Sequence, residues 1–192
     1  TTEMRLRSTM ARYMTREVAE QVLARGEDAL GGRAQEVSIL FADIANFTTL
    51  AERLGPQGTV ALLNEYFSDM VEVVFAHEGI LDKYIGDAIM AVYGAPLASS
   101  YHADNAVRSA IHMPRKLAGF NAGREARGEL PLDVRIGINS GTVVAGNIGS
   151  ARRMDYTVVG DSVNLASRLE AANKTYGTRI LVSGSTVALL RE

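Results

Sequence analysis

The sequence predicts an α+β domain in which helices cover one side of a mainly antiparallel sheet, in the order β, α, α, β-hairpin, α, β, β, β, α, β. Three observations predict this fold class. Short apolar runs rich in β-branched residues alternate with longer segments of helical periodicity. Two of the runs are separated only by Gly86-Asp87, which is typical of a hairpin turn. The sequence contains no internal repeat and no low-complexity tract.

Composition limits the possible functions. The 192 residues are enough for one domain with an appendage, and a net charge of −2 without a long basic run disfavours nonspecific nucleic-acid binding. The lack of cysteine excludes a disulfide framework and Cys-ligated zinc, and it fits a reducing compartment. No apolar stretch reaches the ~18 residues of a membrane span, and no signal peptide is present. Because the chain begins Thr1-Thr-Glu without an initiator methionine, we expect it to be cut from a longer protein. We expect a cytoplasmic location, including as the cytoplasmic domain of a larger, membrane-attached protein.

Residues 1–31 are predicted to form a helical signalling or linker segment that precedes a catalytic domain at 35–192. Thr15 can cap the second of two short helices, and Gly26 and Gly31-Gly32 end it. One interpretation is an amphipathic helix lying on the domain; the other is a signalling helix that pairs with a partner chain below an upstream sensor. The absence of a clean heptad favours the first. The apolar residues at helical spacing are Leu6, Met10, Tyr13, Met14, Val18, Val22 and Leu23.

The apolar run Val37–Ala42 is a predicted buried strand that ends on a carboxylate, Asp43. A helix is predicted over Thr48–Leu54, so Ala45–Thr48 is a tight strand-to-helix turn whose amides face open space. A carboxylate beside a helix N-terminus can hold a cation and a phosphate together. On this stretch alone, a helix cap at Asp43 is equally favoured.

A second isolated acid lies in the predicted hairpin of Ile80–Ile85 and Ala88–Tyr93. Asp87 can be an ordinary turn residue, and Lys83 can be a solvated strand residue. Carboxylates on adjacent strand ends can also share divalent cations, which makes Asp43 and Asp87 a candidate pair. A long helix is predicted between them at Gln57–Glu78, with an inward stripe of Val60, Leu63, Phe67, Val71 and Val74.

The middle of the chain is predicted to be structural. A helix is expected over Ser99–Arg127, kinked or split at Pro114, with Val107, Ile111 and Leu117 inward and with His102 and His112 solvated or packed. A strand follows at Leu132–Asn139, and Gly141 is expected to turn the chain into Thr142–Ile148.

Polar residues concentrate again after the predicted strand Met154–Val159. Gly160-Asp161-Ser162 leads into a helix, Val163–Glu170, on which Asn164 and Arg168 share one face. Taken alone, a solvated polar face explains this pair. The chain ends with a short strand, Arg179–Val182, and a helix from Ser185.

Four blocks of this sequence together resemble the class III nucleotidyl cyclase catalytic domain, over about residues 35–190 and in the family's order and spacing. The resemblance implies a ferredoxin-like, palm-type fold. The blocks are Phe41-Ala-Asp-Ile-Ala-Asn-Phe-Thr48, Asp82-Lys-Tyr-Ile-Gly-Asp-Ala-Ile-Met90, Arg135-Ile-Gly-Ile-Asn-Ser-Gly141 and Tyr156-Thr-Val-Val-Gly-Asp-Ser-Val-Asn-Leu-Ala-Ser-Arg168.

By this resemblance the reaction is ATP to cyclic AMP and pyrophosphate, with two Mg²⁺ or Mn²⁺ ions as cofactors. Asp43, Asp87 and the Ile44 carbonyl would bind the ions. Arg168 would neutralise charge at the α-phosphate, and Asn164 would orient the ribose. The family often places a cation for the terminal phosphates where this chain has Arg179. The turn amides of Asn46, Phe47 and Thr48 would hold the β- and γ-phosphates. Position 46 is usually glycine in the family, and asparagine tolerates positive φ.

Two positions are implied to read the base. Lys83 would donate to an adenine ring nitrogen, and Thr157 would accept from the exocyclic amine. Guanylyl cyclases of the family tend to carry an acid at the first position and a small donor such as Cys at the second, so Lys83 favours ATP. Thr157 resembles a subgroup often stimulated by bicarbonate.

The family pairs head to tail, which implies a homodimer with two composite sites. Guanylyl cyclase is the alternative enzyme. A catalytically silent regulatory domain is disfavoured because both metal aspartates, Asn164 and Arg168 are present. A diguanylate cyclase is disfavoured because Tyr84-Ile-Gly-Asp87 is not the hairpin that such enzymes carry.

Overall fold

The computed structural model describes residues 4, 8, 10–25, 31–150 and 152–191, and it confirms the α+β class. The strands are β1 (Arg33–Ile44), β2 (Ile80–Ile85), β3 (Ala88–Tyr93), β4 (Val134–Ser150), β5 (Arg153–Val159) and β6 (Ile180–Val182). The helices are α1 (Arg16–Ala24), α2 (Phe47–Ala76), α3 (His102–Ala126), α4 (Asp161–Tyr176) and α5 (Gly184–Leu189). None of the described helices is long and apolar enough to cross a membrane.

The six strands form one sheet in the order β2-β3-β1-β4-β5, and β6 pairs with β4. All pairings are antiparallel except that of β6 with β4. The predicted turn at Gly141 was wrong, because β4 continues through it and residues 134–145 of β4 pair with the whole of β1. Gly141 instead permits a close approach: a Cβ there would lie 2.2 Å from the Ser162 Oγ.

The predicted inward faces of the two long helices were partly wrong. In α2 the backbone is non-helical at Gly55, which lies between the two predicted helices. Val60, which was predicted to face inward, is 57% exposed. Val74 is buried as predicted, whereas Leu63, Phe67 and Val71 are only partly buried and flank the buried stripe. Its members are Leu62, Tyr66, Met70, Val73 and Val74.

Helix α3 runs through Pro114 as one continuous helix, so the predicted split does not occur. Ile111 is 45% exposed, contrary to expectation, whereas Leu117 is buried as predicted. The small residues Ala106 and Ala110 are buried instead, because short side chains let a helix lie close to a sheet.

Helices cover both faces of the sheet rather than one. Helices α2 and α3 pack on the face that carries Leu40 and Ile136. The opposite face, which carries Ile39, packs against Val22 of α1 and Ala166 of α4. The Thr15 hydroxyl caps α1 as predicted, by accepting from Val18 N at 3.3 Å. The predicted positions Leu6 and Gly26 lie outside the described residues.

Candidate active site

Two carboxylates meet at the end of the sheet, as the sequence predicted. Asp43 is the penultimate residue of β1, and Asp87 lies at the tip of the β2–β3 hairpin. Because β1 and β3 are paired neighbours, the Ile44 amide donates a hydrogen bond of 3.0 Å to Asp87 Oδ2. Asp43 Oδ1 is buried and accepts no hydrogen bond from an N–H or hydroxyl group within the described part of the chain. A buried carboxylate oxygen without a donor, beside a second carboxylate, fits a hard divalent cation.

The surroundings of this pair are rich in negative charge. Burial raises the pKa of Asp87, the Ile44 amide lowers it, and the charge of Asp43 raises it. Burial raises the pKa of Glu170 to about 9, together with a hydrogen bond that the protonated Glu170 carboxyl donates to Asp43 and repulsion from the Asp43 charge. Burial, Asp43 and Asp87 also raise the pKa of Tyr66, whose buried hydroxyl has no hydrogen-bond partner among the described residues. A bound cation would relieve this repulsion.

Sequence reasoning missed Glu170 and Tyr66. The signal for Glu170 was its place two residues beyond Arg168, at the end of a predicted helix. Tyr66 is not part of the apolar stripe that periodicity predicted for α2, so no sequence pattern indicated that its side chain is buried.

The turn after Asp43 adopts the conformation that its sequence requires. Asn46 has φ 57° and ψ 33°, in the left-handed region that asparagine tolerates. The Ala45 amide donates to the Asp133 carbonyl at 2.8 Å, which fixes the turn against the start of β4. The next amides begin α2 and have no acceptor in their own helix.

An open cleft of about 560 Å³ lies beside this turn, and its walls carry several cations. Asn46 and Asp133 are in its lining, and Arg179 Nε lies 3.1 Å from Asp133 Oδ2. The cationic lining residues are Arg53, Arg135, Lys174 and Arg179. A helix N-terminus facing a cation-lined cleft is suited to an anion.

Lys83 and Thr157 lie on opposite edge strands, β2 and β5, yet one buried side chain joins them. Thr157 Oγ1 donates to Asp82 at 2.8 Å and 3.0 Å, and Lys83 Nζ lies 3.6 Å from Asp82 Oδ1. The predicted pair is therefore brought together. No sequence pattern indicated a role for Asp82, because an acid beside a lysine in an edge strand resembles a solvated pair.

Asn164 and Arg168 both lie on the exposed face of α4, as the i,i+4 spacing predicted. Neither forms a hydrogen bond or an ion pair with any residue that the structure describes. Glu170, on the same helix, faces Asp43. Arg168 is two residues earlier and is rotated by about 200° around the helix axis, so it points away from its own chain's carboxylates.

Comparison with known proteins gives consistent matches. Adenylate cyclase 1 of Rhizobium meliloti (strain 1021) is 42% identical over 187 residues, which are 96% of this chain and 28% of that protein. The chain spans about three tenths of the length of the curated relatives it matches.

Solved structures share the fold. The crystal structure of the guanylyl cyclase Cya2 matches with a TM-score of 0.78 and 38% identity, over 84% of this chain and 81% of that one. The adenylyl cyclase CyaB from P. aeruginosa matches with a TM-score of 0.76 and 36% identity, over 83% and 82%. The family profile described as "Adenylate and Guanylate cyclase catalytic domain" matches residues 31–192. The paired carboxylates thus lie on a palm-type sheet, and the chain belongs to the adenylate and guanylate cyclase catalytic domain family.

Proposed function

We propose that this chain is the catalytic domain of an adenylyl cyclase, which converts ATP to 3′,5′-cyclic AMP and pyrophosphate at sites shared by two copies of the chain. The observation that carries the proposal is the buried Asp43 oxygen without a donor, beside Asp87. The 42% identity to a protein named adenylate cyclase supports ATP as the substrate.

Asp43, Asp87 and the Ile44 carbonyl would hold two Mg²⁺ or Mn²⁺ ions. When bound, such ions lower the pKa of an attacking hydroxyl and stabilise charge on the phosphates. The Ile44 amide keeps Asp87 oriented, because it donates to one carboxylate oxygen and leaves the other available. No N–H or hydroxyl group of the described residues competes for Asp43 Oδ1.

The cleft beside Asn46 is the proposed triphosphate site. The amides of Asn46, Phe47 and Thr48 would receive the β- and γ-phosphates, because they open α2. Arg179 lines the cleft and pairs with the exposed Asp133, so it can exchange that partner for a terminal phosphate oxygen.

The remaining groups would come from the second chain. Arg168 would neutralise charge that develops at the α-phosphate, and Asn164 would orient the ribose. Both side chains are exposed on α4, and Arg168 points away from the Asp43 of its own chain. A head-to-tail homodimer places the α4 of one copy over the carboxylates of the other and produces two equivalent sites.

The choice of ATP rests on Lys83 and Thr157. Lys83 Nζ can donate to a ring nitrogen that accepts in adenine but carries a hydrogen in guanine. Guanylyl cyclase is the second candidate, because one similar structure is the guanylyl cyclase Cya2. An acid at position 83 would favour it, and this chain has a lysine there.

Product analysis tests the proposal. The protein is incubated with ATP or with GTP in the presence of Mn²⁺, and the nucleotides are separated by chromatography. We expect cyclic AMP from ATP, and much less cyclic GMP from GTP. Asp43→Ala and Asp87→Ala should abolish turnover and leave a folded domain, since each ion loses a hard oxygen ligand.

Asp69→Ala is the matched control for these two variants. It removes a partly exposed carboxylate that lies 3.9 Å from Lys116 Nζ and does not line the cleft, so turnover should stay unchanged. The proposal fails if neither cyclic nucleotide forms, or if Asp43→Ala or Asp87→Ala retains parental activity.

A further inference from the structure

Asp82 lies at an irregularity in the pairing of the edge strand β2. The pairing of β2 with β3 shifts register between Leu81 and Lys83, so Asp82 is the additional residue of a β-bulge. Bulges redirect a side chain and often lie next to active sites. Here the bulge turns a carboxylate inward, and its side chain is only 2% exposed although its neighbour Lys83 is about half exposed.

The groups that contact this carboxylate are hydrogen-bond donors and one cation. The Thr157 hydroxyl donates to Oδ2 at 2.8 Å and to Oδ1 at 3.0 Å, and the Val158 amide donates to Oδ2 at 3.4 Å. Lys83 Nζ lies 3.6 Å from Oδ1. Burial raises the pKa of Asp82, whereas hydrogen bonds from Thr157 and Val158 and the charge of Lys83 lower it. One buried carboxylate therefore holds both residues proposed to read the base.

These contacts determine what the Thr157 hydroxyl can offer to a ligand. A hydroxyl has one hydrogen and two lone pairs, and an ionised carboxylate can only accept. Because the single hydrogen points at Asp82, the oxygen of Thr157 presents only lone pairs elsewhere. The 6-amino group of adenine is a donor and complements these lone pairs, whereas the 6-oxo group of guanine is an acceptor and does not.

We infer that Asp82 is a positioning residue that makes Thr157 an obligatory hydrogen-bond acceptor and so selects a 6-aminopurine over a 6-oxopurine nucleotide. The inference rests on the proposed adenylyl cyclase function and goes further, because a threonine hydroxyl by itself can serve either base. Selectivity at this position then resides in a side chain that acts on the substrate only through Thr157.

Asp82→Asn is the first test, because asparagine keeps the shape of aspartate and can donate to Thr157. Because the amide nitrogen can donate to the Thr157 oxygen, the hydroxyl hydrogen is no longer committed to residue 82 and can be donated to guanine. We expect the ratio of kcat/KM for ATP to that for GTP to fall about tenfold, the factor that corresponds to one ordinary hydrogen bond. Asp82→Ala frees the hydroxyl in a different way and should change the ratio in the same direction, which keeps the test valid if one variant does not fold.

A comparison of ATP with purine riboside triphosphate, which lacks the 6-amino group, separates positioning from damage. Lys83 and the phosphate contacts serve both nucleotides equally, so a merely structural defect lowers both values of kcat/KM by the same factor. We expect Asp82→Asn to remove the preference for ATP over this analogue. Adding Asp82→Asn to Thr157→Val should have no further effect on that preference, since no hydroxyl remains to be oriented.

The outcomes distinguish this inference from the proposed function. If the parental protein cyclises neither ATP nor GTP, the function itself is wrong. If it is an adenylyl cyclase and both folded Asp82 variants keep the parental preference for ATP over GTP and over the analogue, the function stands and the role of Asp82 is refuted.

Discussion

The Gly137→Ala substitution should displace helix α4 from the sheet. Gly137 is in the middle of β4, and a Cβ built there would lie 2.2 Å from Glu170 N and 2.7 Å from Ala166 O. Both are backbone atoms of α4 and cannot rotate away. Ordinary contacts begin near 3.4 Å, so the helix has to retreat by about 1 Å. Overpacking of this kind costs about 1–3 kcal/mol, and we expect the upper part of that range.

The same displacement should impair catalysis, because α4 carries Asn164 and Arg168. A misplacement of about 1 Å can cost about a hundredfold in rate. Urea denaturation measures the free energy of unfolding, and cyclic nucleotide formation measures the rate. Gly119→Ala is the matched control: Gly119 lies inside α3 with no atom within 4 Å of its Cβ position, so this change should stabilise the protein by about 0.5–1 kcal/mol. Parental stability and activity in Gly137→Ala would refute the proposed seating of α4.

Three further predictions concern the turn, the base and acid stability. Asn46→Ala should cost about 1–2 kcal/mol in unfolding free energy, and Asn46→Gly should not, because residue 46 is left-handed; urea denaturation of both variants measures the difference. Lys83→Glu combined with Thr157→Cys should depress turnover of ATP relative to GTP in a competition assay, and an unchanged preference would remove these residues from base reading. Burial and then His112 lower the pKa of His77 in the folded protein, so stability should be fully present above the ordinary histidine pKa of about 6.5 and should fall as the pH drops below it. His112→Gln should reduce that loss in urea denaturation across this pH range, and an identical pH profile would contradict the reasoning.

Local patterns predicted most of the elements and the positions of the two carboxylates, Asp43 and Asp87. The hairpin bounds were correct because Gly86-Asp87 allows few alternatives to a tight turn. The continuity of β4 was not predictable, since Gly141 serves a close approach to Ser162 that exists only after folding. Asp82 was overlooked for a similar reason: its partner Thr157 is 75 residues away, and no local pattern reveals the bulge that joins them.

The inward face of α2 shows the limit of periodicity. Two adjacent apolar stripes run along this helix, and the sheet selects the one that contains Tyr66 and Met70. The unpartnered hydroxyl of Tyr66 then lies near the carboxylate pair, which a hydrophobic pattern does not indicate.

Subunit complementation tests the central claim, a cyclase site built from two chains, most directly. Asp43→Ala removes a proposed metal ligand, and Arg168→Ala removes the side chain proposed to neutralise charge at the α-phosphate. Each homodimer should therefore be nearly inactive. In an equal mixture that exchanges subunits, half of the dimers are hetero, and each of these has one intact site and one doubly damaged site.

The mixture should therefore recover about a quarter of the parental activity per subunit, and the recovery should increase with protein concentration. Mixing Asp43→Ala with Asp87→Ala is the control, because both changes damage the same half and no heterodimer has an intact site. Recovery in the first mixture and none in the second is the predicted result. If heterodimers demonstrably form in the first mixture and no activity returns, each site lies within one chain and the account is contradicted.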